Sequence, residues 1–278
     1  MLLSILIPTY NRHHKVLELI NFLSKEILSC ISDLEIIVGD NASNDSTYED
    51  ILSHPLFELS NINIIKNPQN LGLVGNLINL SQKASGEYIW FMGDDDIYKS
   101  DIVNKVINQL KEKRPALMFI NHEAYIEGEK GYSGFSSAVD VQLPAIYEDG
   151  RKGIYDIWNT SDTSLMFISC IIYNKNLLID AIHKREVTNL ASPLFYSLYV
   201  GGKGKLVIIK DILIENVWGN VSWKSSMYSI FIDFIPQILY SLHKYGYSNK
   251  MTITISIKYL WKNKFLFIKY WKNKLQIR

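Results

Sequence analysis

In the first third of the chain, short continuous apolar runs alternate with segments whose apolar residues recur every three or four positions. A continuous run bounded by turn residues is typical of a strand buried on both faces, and the longer spacing predicts a helix with one apolar side. The runs predict strands at Leu2–Ile7, Leu34–Val38, Ile62–Lys66 and Tyr88–Met92. The spaced segments predict helices at Lys15–Cys30, Ser46–Leu52 and Leu73–Ala84.

This alternation of strand and helix predicts an α/β fold with a mostly parallel sheet flanked by helices. The carboxyl ends of parallel strands meet at one edge of the sheet, which is where such folds bind ligands. All four predicted strand ends are polar, and they read PTYNR (8–12), GDNAS (39–43), KNPQN (66–70) and GDDD (93–96). We therefore expect these four segments to share one rim.

The rest of the chain is less regular. Strands are predicted at Leu117–Ile120, Leu165–Tyr173 and Leu206–Ile214, and helices at Asp101–Lys113 and Lys175–His183. Residues 122–163 are rich in glycine and are predicted to be loop-rich. Because no linker-like stretch interrupts the chain, residues 1–225 are interpreted as one domain with halves 1–120 and 121–225, followed by a helical tail at 226–278.

The fourth strand end carries three adjacent carboxylates, Asp94, Asp95 and Asp96. Like charges this close repel one another, and a buried carboxylate is costly unless a positive group pairs with it. A solvated Gly-Asp turn would explain the three acids without any ligand. A divalent cation such as Mg²⁺ or Mn²⁺ would instead supply the missing positive charge, because both ions prefer oxygen ligands.

Composition excludes several classes of protein. The 278 residues carry a net charge of +1 and are 47% hydrophobic, so the overall charge gives no reason to expect a nucleic-acid partner. Two cysteines, Cys30 and Cys170, with no CxxC motif argue against a disulfide framework or a structural zinc site and suit a reducing cytoplasm. No signal peptide is expected, and no uncharged apolar stretch is long enough to predict a transmembrane helix.

The charge is concentrated at the C-terminal end, where no acidic residue follows Asp233 and the last 45 residues carry roughly nine positive charges. From Lys258 the pattern predicts a basic amphipathic helix. Its lysine stripe is Lys258, Lys262, Lys269 and Lys272, and its apolar side is Leu260, Phe267, Ile268, Trp271 and Leu275, with Trp261 nearby. This composition favours contact with a membrane surface through residues 251–278. Alternatively, the apolar side packs on the body of the protein and the lysines are solvated.

Four motifs in order, SILIPTYNR, GDNASNDST, NLGLVGN and GEYIWFMGDDD, resemble the family 2 glycosyltransferases of GT-A (Rossmann-like) fold. Within that family the chain looks most similar to abequosyltransferase-like enzymes of bacterial surface polysaccharide synthesis. The resemblance covers about residues 2–120 well and 164–214 loosely. It implies that residues 1–225 form the GT-A domain, with a nucleotide-sugar half (1–120) and an acceptor half (121–225).

The resemblance also implies roles for residues on the rim. Pro8, Thr9 and Tyr10 would line the base of the nucleotide, with Tyr10 stacking on it. Asp40 would accept a hydrogen bond from the imide N–H of the base, a role that suits an ionised carboxylate. Asn76 would approach the nucleotide or the donor sugar.

The GDDD segment would be the metal motif, in which Gly93 stands where the family pattern Asp-x-Asp-Asp has its first acid. Asp95 is then expected to bind the metal, and Asp94 to bind the ribose or the metal. Asp96 would support these ligands or contact the acceptor as a catalytic residue. The expected cofactor is Mn²⁺ or Mg²⁺, which would neutralise the diphosphate of the leaving nucleotide.

The general base is the part of the family pattern that this sequence does not match. Many relatives place a Glu-Asp pair about ten residues before a glycine-rich turn, but here that region, NLASPLFYSLYVGG (189–202), has no carboxylate. An inverting transferase needs a base to deprotonate the acceptor hydroxyl. Asp162 is the first choice for this base, and the other candidates are Glu186, His183 and Asp156.

The resemblance thus implies a metal-dependent, inverting transfer from a nucleotide-diphosphate sugar to a saccharide or a polyprenyl-linked glycan, in O-antigen- or capsule-type synthesis. We expect a bacterial cytoplasmic protein that is peripheral on the inner face of the cytoplasmic membrane. A non-catalytic nucleotide-sugar-binding protein is an alternative, favoured by the missing Glu-Asp pair. A nucleotidyltransferase is another, although its usual glycine-rich basic loop is not found in PTYNRHHK.

Overall fold

The computed structural model describes residues 1–126, 134–185, 188–218 and 224–275. The strands in these ranges are β1 (Leu3–Thr9), β2 (Leu34–Asp40), β3 (Ile62–Lys66), β4 (Tyr88–Phe91), β5 (Ile97–Tyr98), β6 (Leu117–Ile126), β7 (Ile146–Tyr147), β8 (Ile171–Asn174) and β9 (Leu206–Trp218). They form one sheet in the order β3-β2-β1-β4-β8-β6-β9-β5, and β7 pairs with β9.

Helices cover this sheet and form the C-terminal tail. They are α1 (His13–Glu26), α2 (Thr47–Leu52), α3 (Gly72–Lys83), α4 (Ile102–Lys113), α5 (Gly150–Ser161), α6 (Lys175–Lys184), α7 (Ser192–Gly201), α8 (Ile235–Ser241), α9 (Asn249–Lys262) and α10 (Lys264–Leu275). No helix in the described ranges combines the length and the apolar character that crossing a membrane requires.

The first four strands are all parallel, as the alternation of strand and helix predicts. Every residue of β1 and β2 is buried, which agrees with the reading of their continuous apolar runs as strands covered on both faces. The register places Thr9 opposite Asp40 and Asp40 opposite Lys66. The polar strand ends therefore do share one rim.

The second part of the sheet mixes directions. Strand β8 is antiparallel to both of its neighbours, β4 and β6, whereas β6 and β9 are parallel. The two-residue strand β5, which the sequence does not predict, follows the three acids at once and pairs with β9. The acid turn is thereby held at both ends by strands of the same sheet.

One strand prediction for the acceptor half is wrong. Of the apolar run 165–173 only its last residues belong to a strand, β8, and residues 162–166 and 168–170 form 3₁₀ turns. A short apolar run shows burial but does not distinguish a strand from another buried segment. The region 122–163, expected to be loop-rich, also contains the end of β6, β7 and the twelve residues of α5.

The glycines of α5 are the reason why the sequence pattern did not predict this helix. A Cβ at Gly150 would lie 2.1 Å from the carbonyl oxygen of Gly201, so glycine allows the start of α5 to approach α7 rather than marking a loop. Helix α7, which the sequence also fails to predict, is buried along its whole length. It therefore lacks the polar side that makes a surface helix recognisable.

Residues 249–275 of the tail are helical, as expected, but they form two helices, α9 and α10, separated at Asn263. Helix α9 packs on the body through buried Thr252, Ile255 and Tyr259. The division of the chain into a domain at 1–225 and a tail at 226–278 stays an interpretation.

Candidate functional site

The loops that follow β1 and β2 are tied to each other by hydrogen bonds. The backbone N–H of Asn11 donates to Ser43 Oγ over 2.8 Å, and Asn44 N–H donates to Asn11 Oδ1 over 2.9 Å. Asn11 and Ala42 both have positive φ, at 53° and 63°. A left-handed alanine costs about 1–2 kcal/mol, which is typical of backbone held in place at a binding site.

Beside these loops, Tyr10 and Asp40 differ sharply in exposure. Tyr10 follows Pro8 and Thr9 and is 41% exposed on the rim, whereas Asp40 is fully buried. Asp40 Oδ1 accepts a hydrogen bond from Ser43 N–H over 3.1 Å. Among the contacts of the described residues, Asp40 Oδ2 has no donor. A buried carboxylate oxygen without a donor is costly, so a ligand N–H is a physically reasonable partner for it.

A network of buried asparagine side chains supports the end of β2, which carries Asp40. Asn76 is buried, donates to the carbonyl oxygen of Gly39 over 2.8 Å and accepts from Asn67 over 3.0 Å. Asn67 also donates to Asn41 over 2.9 Å. In this structure Asn76 therefore fixes the strand end that carries Asp40, and its expected contact with the nucleotide stays a prediction.

The first two acids of the turn share one arginine. Asp94 is buried and accepts from Thr9 Oγ1 over 2.7 Å, and one guanidinium nitrogen of Arg12 lies 2.8 Å from both Asp94 and Asp95. Burial raises the pKa of Asp94, although Arg12 and Thr9 oppose the shift. The Asp95 side chain is 50% exposed. Arg12 thus supplies positive charge that the sequence analysis assigned entirely to a metal. Because Arg12 is the last residue of PTYNR, which lies on the same rim, its position in that motif could have identified it.

The third acid, Asp96, is held by the other half of the chain. Its Oδ2 accepts from Ser169 Oγ over 2.6 Å, and its Oδ1 accepts from Asn216 Nδ2 over 2.8 Å. Burial and the neighbouring Asp95 raise the pKa of Asp96 to about 7, despite these two hydrogen bonds. Sequence reasoning missed Ser169 and Asn216, which lie 73 and 120 residues further along the chain and belong to no motif.

The packing around Gly93 explains why this chain has a glycine where the Asp-x-Asp-Asp pattern has its first acid. A Cβ at Gly93 would lie 2.7 Å from Asp96 Oδ2 and 3.0 Å from Ser169 Oγ. The backbone N–H of Gly93 also donates to Ser169 Oγ over 3.1 Å. The space that the side chain of a first acid would fill is therefore taken by Asp96 and its partner.

The acid turn fits a divalent cation only in part. In the ranges that the structure describes, no group of three or more His, Cys, Asp or Glu side chains is arranged to hold a metal. Asp94 and Asp95 offer oxygen ligands on the rim, and Mg²⁺ is commonly bound by one or two carboxylates together with substrate phosphates. The two carboxylates therefore fit a metal that a bound diphosphate also ligates, and Arg12 would share them with it.

The expected general bases lie away from this turn. Asp162 is 5% exposed and accepts from Lys262 Nζ over 2.6 Å, and Asp156 accepts from the hydroxyl of Tyr147 over 3.0 Å. His183 is exposed near the end of α6. No contact that the structure describes links any of these three to the acids, and Glu186 lies outside the described residues.

The family model named Glycosyl transferase family 2 matches residues 4–180. The chain belongs to glycosyl transferase family 2. This membership confirms the family that the four motifs resemble. The motif-bearing rim of β1 to β4 and the acid turn lie inside the matched range.

Curated relatives match parts of the family 2 chain. Abequosyltransferase RfbV of Salmonella typhimurium is 37% identical over 105 residues, covering 36% of this chain and 30% of that protein. The UDP-Glc:alpha-D-GlcNAc-diphosphoundecaprenol beta-1,3-glucosyltransferase WfgD of Escherichia coli is 28% identical over 122 residues, covering 44% and 46%. The matched region thus spans less than half of either relative.

Solved structures confirm the GT-A-like fold of this family 2 chain. TarS 1-349 of S. aureus in complex with UDP-GlcNAc superposes with a TM-score of 0.73 at 18% identity, covering 100% of this chain and 76% of that one. The mannosyltransferase PcManGT of Pyrobaculum calidifontis, in complex with GDP-Man and Mn²⁺, gives a TM-score of 0.57 at 11% identity, covering 94% and 74%.

Proposed function

We propose that this protein transfers a sugar, with inversion, from a nucleotide-diphosphate sugar to a saccharide acceptor in bacterial polysaccharide synthesis. The observation that carries the proposal is the shared rim. Buried Asp40, with its oxygen that lacks a donor, ends β2, and only β1 separates β2 from β4, the strand that leads into the acid turn. The rim thus offers a hydrogen-bond acceptor for a nucleotide base and carboxylates for a cation on the same edge of the sheet.

The donor base is bound by the first two loops. The exposed ring of Tyr10 stacks on the base, Pro8 and Thr9 line it, and Asp40 Oδ2 accepts its N–H. Thr9 also donates to Asp94, so the same residue connects the base site to the acid turn. Asn76 contributes by holding Gly39, immediately before Asp40, in position.

Asp95 and Asp94 are the residues that would hold the expected Mn²⁺ or Mg²⁺. A cation bound there neutralises the charge of the leaving nucleoside diphosphate. Arg12 contributes a second, permanent positive charge at the same carboxylates. Its guanidinium can also bind phosphate oxygens directly, which keeps the diphosphate oriented on the rim.

Acceptor activation is assigned to Asp96 in preference to Asp162. Both hydrogen-bond donors to Asp96, Ser169 and Asn216, come from the acceptor half, so Asp96 lies where the two halves meet. Asp162 is covered by the tail and paired with Lys262. The name of the WfgD relative specifies a diphosphoundecaprenol-linked acceptor for that enzyme, which supports a polyprenyl-linked saccharide as the acceptor here.

The proposal is tested by calorimetric titration of the purified protein with UDP, dTDP, CDP and GDP, each with and without Mn²⁺. We expect one nucleotide to bind in a metal-dependent manner. In Asp95→Ala the affinity should fall at least about tenfold, since even residues that only support metal ligands are worth 10–100-fold. The fold should remain intact, because Asp95 is half exposed.

Asp211→Ala is the matched control, because Asp211 is an exposed aspartate paired with a lysine, Lys105, away from the acid turn. It should bind as the wild type does. If a well-folded wild-type protein bound none of the four nucleotides, the donor proposal would be wrong. Metal-dependent binding without turnover of any matching sugar nucleotide would instead favour the non-catalytic nucleotide-sugar-binding alternative.

A further inference from the structure

Helix α9 is apolar on two opposite sides, only one of which packs on the body. The packed side contains Tyr259, whose hydroxyl donates to the carbonyl oxygen of Phe231 and whose ring contacts Trp158. Four large apolar residues on the other side are between 45% and 71% exposed, namely Ile253, Ile257, Leu260 and Trp261. At 100° per residue these four fall within one stripe about 100° wide, so they form a continuous face.

Two lysines of α9 contact the body of the protein through their amino groups, although both side chains stay exposed. Lys258 Nζ donates to Asn159 Oδ1 over 2.8 Å, and Lys262 Nζ donates to Asp162 over 2.6 Å. The sequence pattern predicted a solvated lysine stripe if the tail packed on the body, but here these lysines contact the body and the apolar stripe is exposed. An exposed apolar face of this size marks a surface that something else covers.

The apolar face continues into α10, where Phe265, Ile268 and Trp271 are exposed. Lys264 Nζ lies 3.9 Å from the centre of the Trp261 ring, at the junction of the two helices. Helices α9 and α10 together contain seven lysines and no acidic residue. The exposed stripe is therefore apolar and aromatic, and the charged residues of the two helices that carry it are all positive.

We propose that α9 and α10 lie on an anionic lipid bilayer, with the stripe from Ile253 to Trp271 inserted among the acyl chains. Interfacial helices combine such an apolar face with lysines and tryptophans, and each lysine near an anionic surface contributes about 1 kcal/mol. A second copy of the chain is a poorer partner, because two such faces would bring two purely positive surfaces together. The inference does not depend on which nucleotide or sugar the rim binds.

The geometry also fixes how the protein sits on the bilayer. Because Lys258 and Lys262 already contact Asn159 and Asp162 of the body, bilayer contact through Ile257 and Trp261 can leave the ion pair between Lys262 and Asp162 intact. The helix is thus anchored to the body on one side and free to insert on the other. The other exposed lysines, Lys250, Lys269, Lys272 and Lys274, are available to the lipid headgroups.

The test is sedimentation of the full chain with phosphatidylcholine vesicles that contain or lack phosphatidylglycerol. Wild-type protein should bind the anionic vesicles, bind the neutral ones at least about tenfold more weakly, and dissociate at high salt. The double variant Ile257→Ser/Trp261→Ser should lose at least about tenfold in affinity for anionic vesicles, since each apolar side chain buried is worth more than 1 kcal/mol. Its thermal midpoint should stay unchanged, because both residues are exposed.

Leu28→Ser is the matched control, since Leu28 is an equally exposed apolar residue after α1. It should bind vesicles as the wild type does. Unchanged binding by the folded double variant, or equal binding to both kinds of vesicle, would overturn the proposal. So would light scattering that shows a dimer in the wild type and a monomer in the double variant, with no vesicle binding by either, because that result assigns the face to a second copy.

Discussion

The donor and acceptor halves treat buried polar groups in different ways. On the donor rim, buried Asp94 is an acid next to a permanent cation, Arg12, within 2.8 Å. In the acceptor half, buried His122 contacts Ser164 Oγ over 3.0 Å, and Ser164 in turn contacts Ser161 over 2.7 Å. The acid turn of the donor half is thus built around opposed charges, whereas the His122 cluster of the acceptor half is a chain of buried hydrogen-bonding groups without an acid.

This difference indicates what each half contributes to a shared reaction. A nucleoside diphosphate is an anion and needs a charged site, while a saccharide hydroxyl needs hydrogen-bonding groups and one base. Asp96 belongs to both halves, because it lies in the acid turn but is held by Ser169 and Asn216. Variants at this junction, and on either side of it, therefore test the difference between the two halves most directly.

The largest effect is expected from Asp96→Asn. Removing a general base lowers the rate by about 10²–10⁴-fold, and asparagine keeps the shape of the side chain while it cannot take a proton. Asp162→Asn should lower kcat less than about tenfold, because Asp162 is covered by Lys262. The measurement is kcat for transfer from whichever sugar nucleotide the titration identifies. If Asp162→Asn were the slower enzyme, the assignment of the base to Asp96 would be wrong.

The same contrast explains how much of the molecule the sequence predicted. In the donor half, every site residue follows a parallel strand, and the rule that strand ends meet at one edge needs only local patterns. Pro8, Thr9, Tyr10, Asp40 and the three acids were found in this way. Arg12 was overlooked although it lies in the same motif, because a metal was assumed to be the cation of the acid turn.

The acceptor half could not be read in the same manner. Ser169 lies in a 3₁₀ turn within an apolar run that reads as a strand, and Asn216 lies beyond the predicted end of β9. Their contact with Asp96 depends on antiparallel pairing and on β5, neither of which leaves a local signal. The reversed orientation of α9 was equally unpredictable, because the sequence pattern marks two stripes but not which of them meets the body.

A second, smaller effect is the pH dependence of the free energy of unfolding that buried His122, in the acceptor half, should cause. Burial lowers the pKa of His122 to about 4, against a usual 6.5. Between these values the unfolded chain binds a proton that the folded protein does not, so the free energy of unfolding should fall as pH drops from 6.5 to 4, by up to about 3 kcal/mol.

His122→Asn should remove this component, so the stability difference between wild type and variant should shrink as the pH is lowered. Urea unfolding across the range from neutral pH to about pH 4 measures both proteins, and their difference cancels titration of the other groups. A difference that stays constant with pH would show that His122 binds protons equally in the folded and unfolded states, so that burial does not lower its pKa. The two halves would then not differ in the way described.

The smallest effect tests how tightly the halves meet at the acid turn. Gly93→Ala places a Cβ 2.7 Å from Asp96 Oδ2, and the side chain of Asp96 cannot move without losing its bonds to Ser169 and Asn216. The expected loss of stability is about 1–3 kcal/mol, the usual cost of overpacking, measured by urea unfolding. In an Asp96→Ala background the nearest oxygen is absent and the next contacts, Ser169 Oγ and Asp95 Oδ1, lie at 3.0 and 3.2 Å, so the same substitution should cost less than it does in the wild type. Equal costs in the two backgrounds would mean that the obstruction lies elsewhere, and that Gly93 is required by the backbone of the turn rather than by the carboxylate that joins the donor rim to the acceptor half.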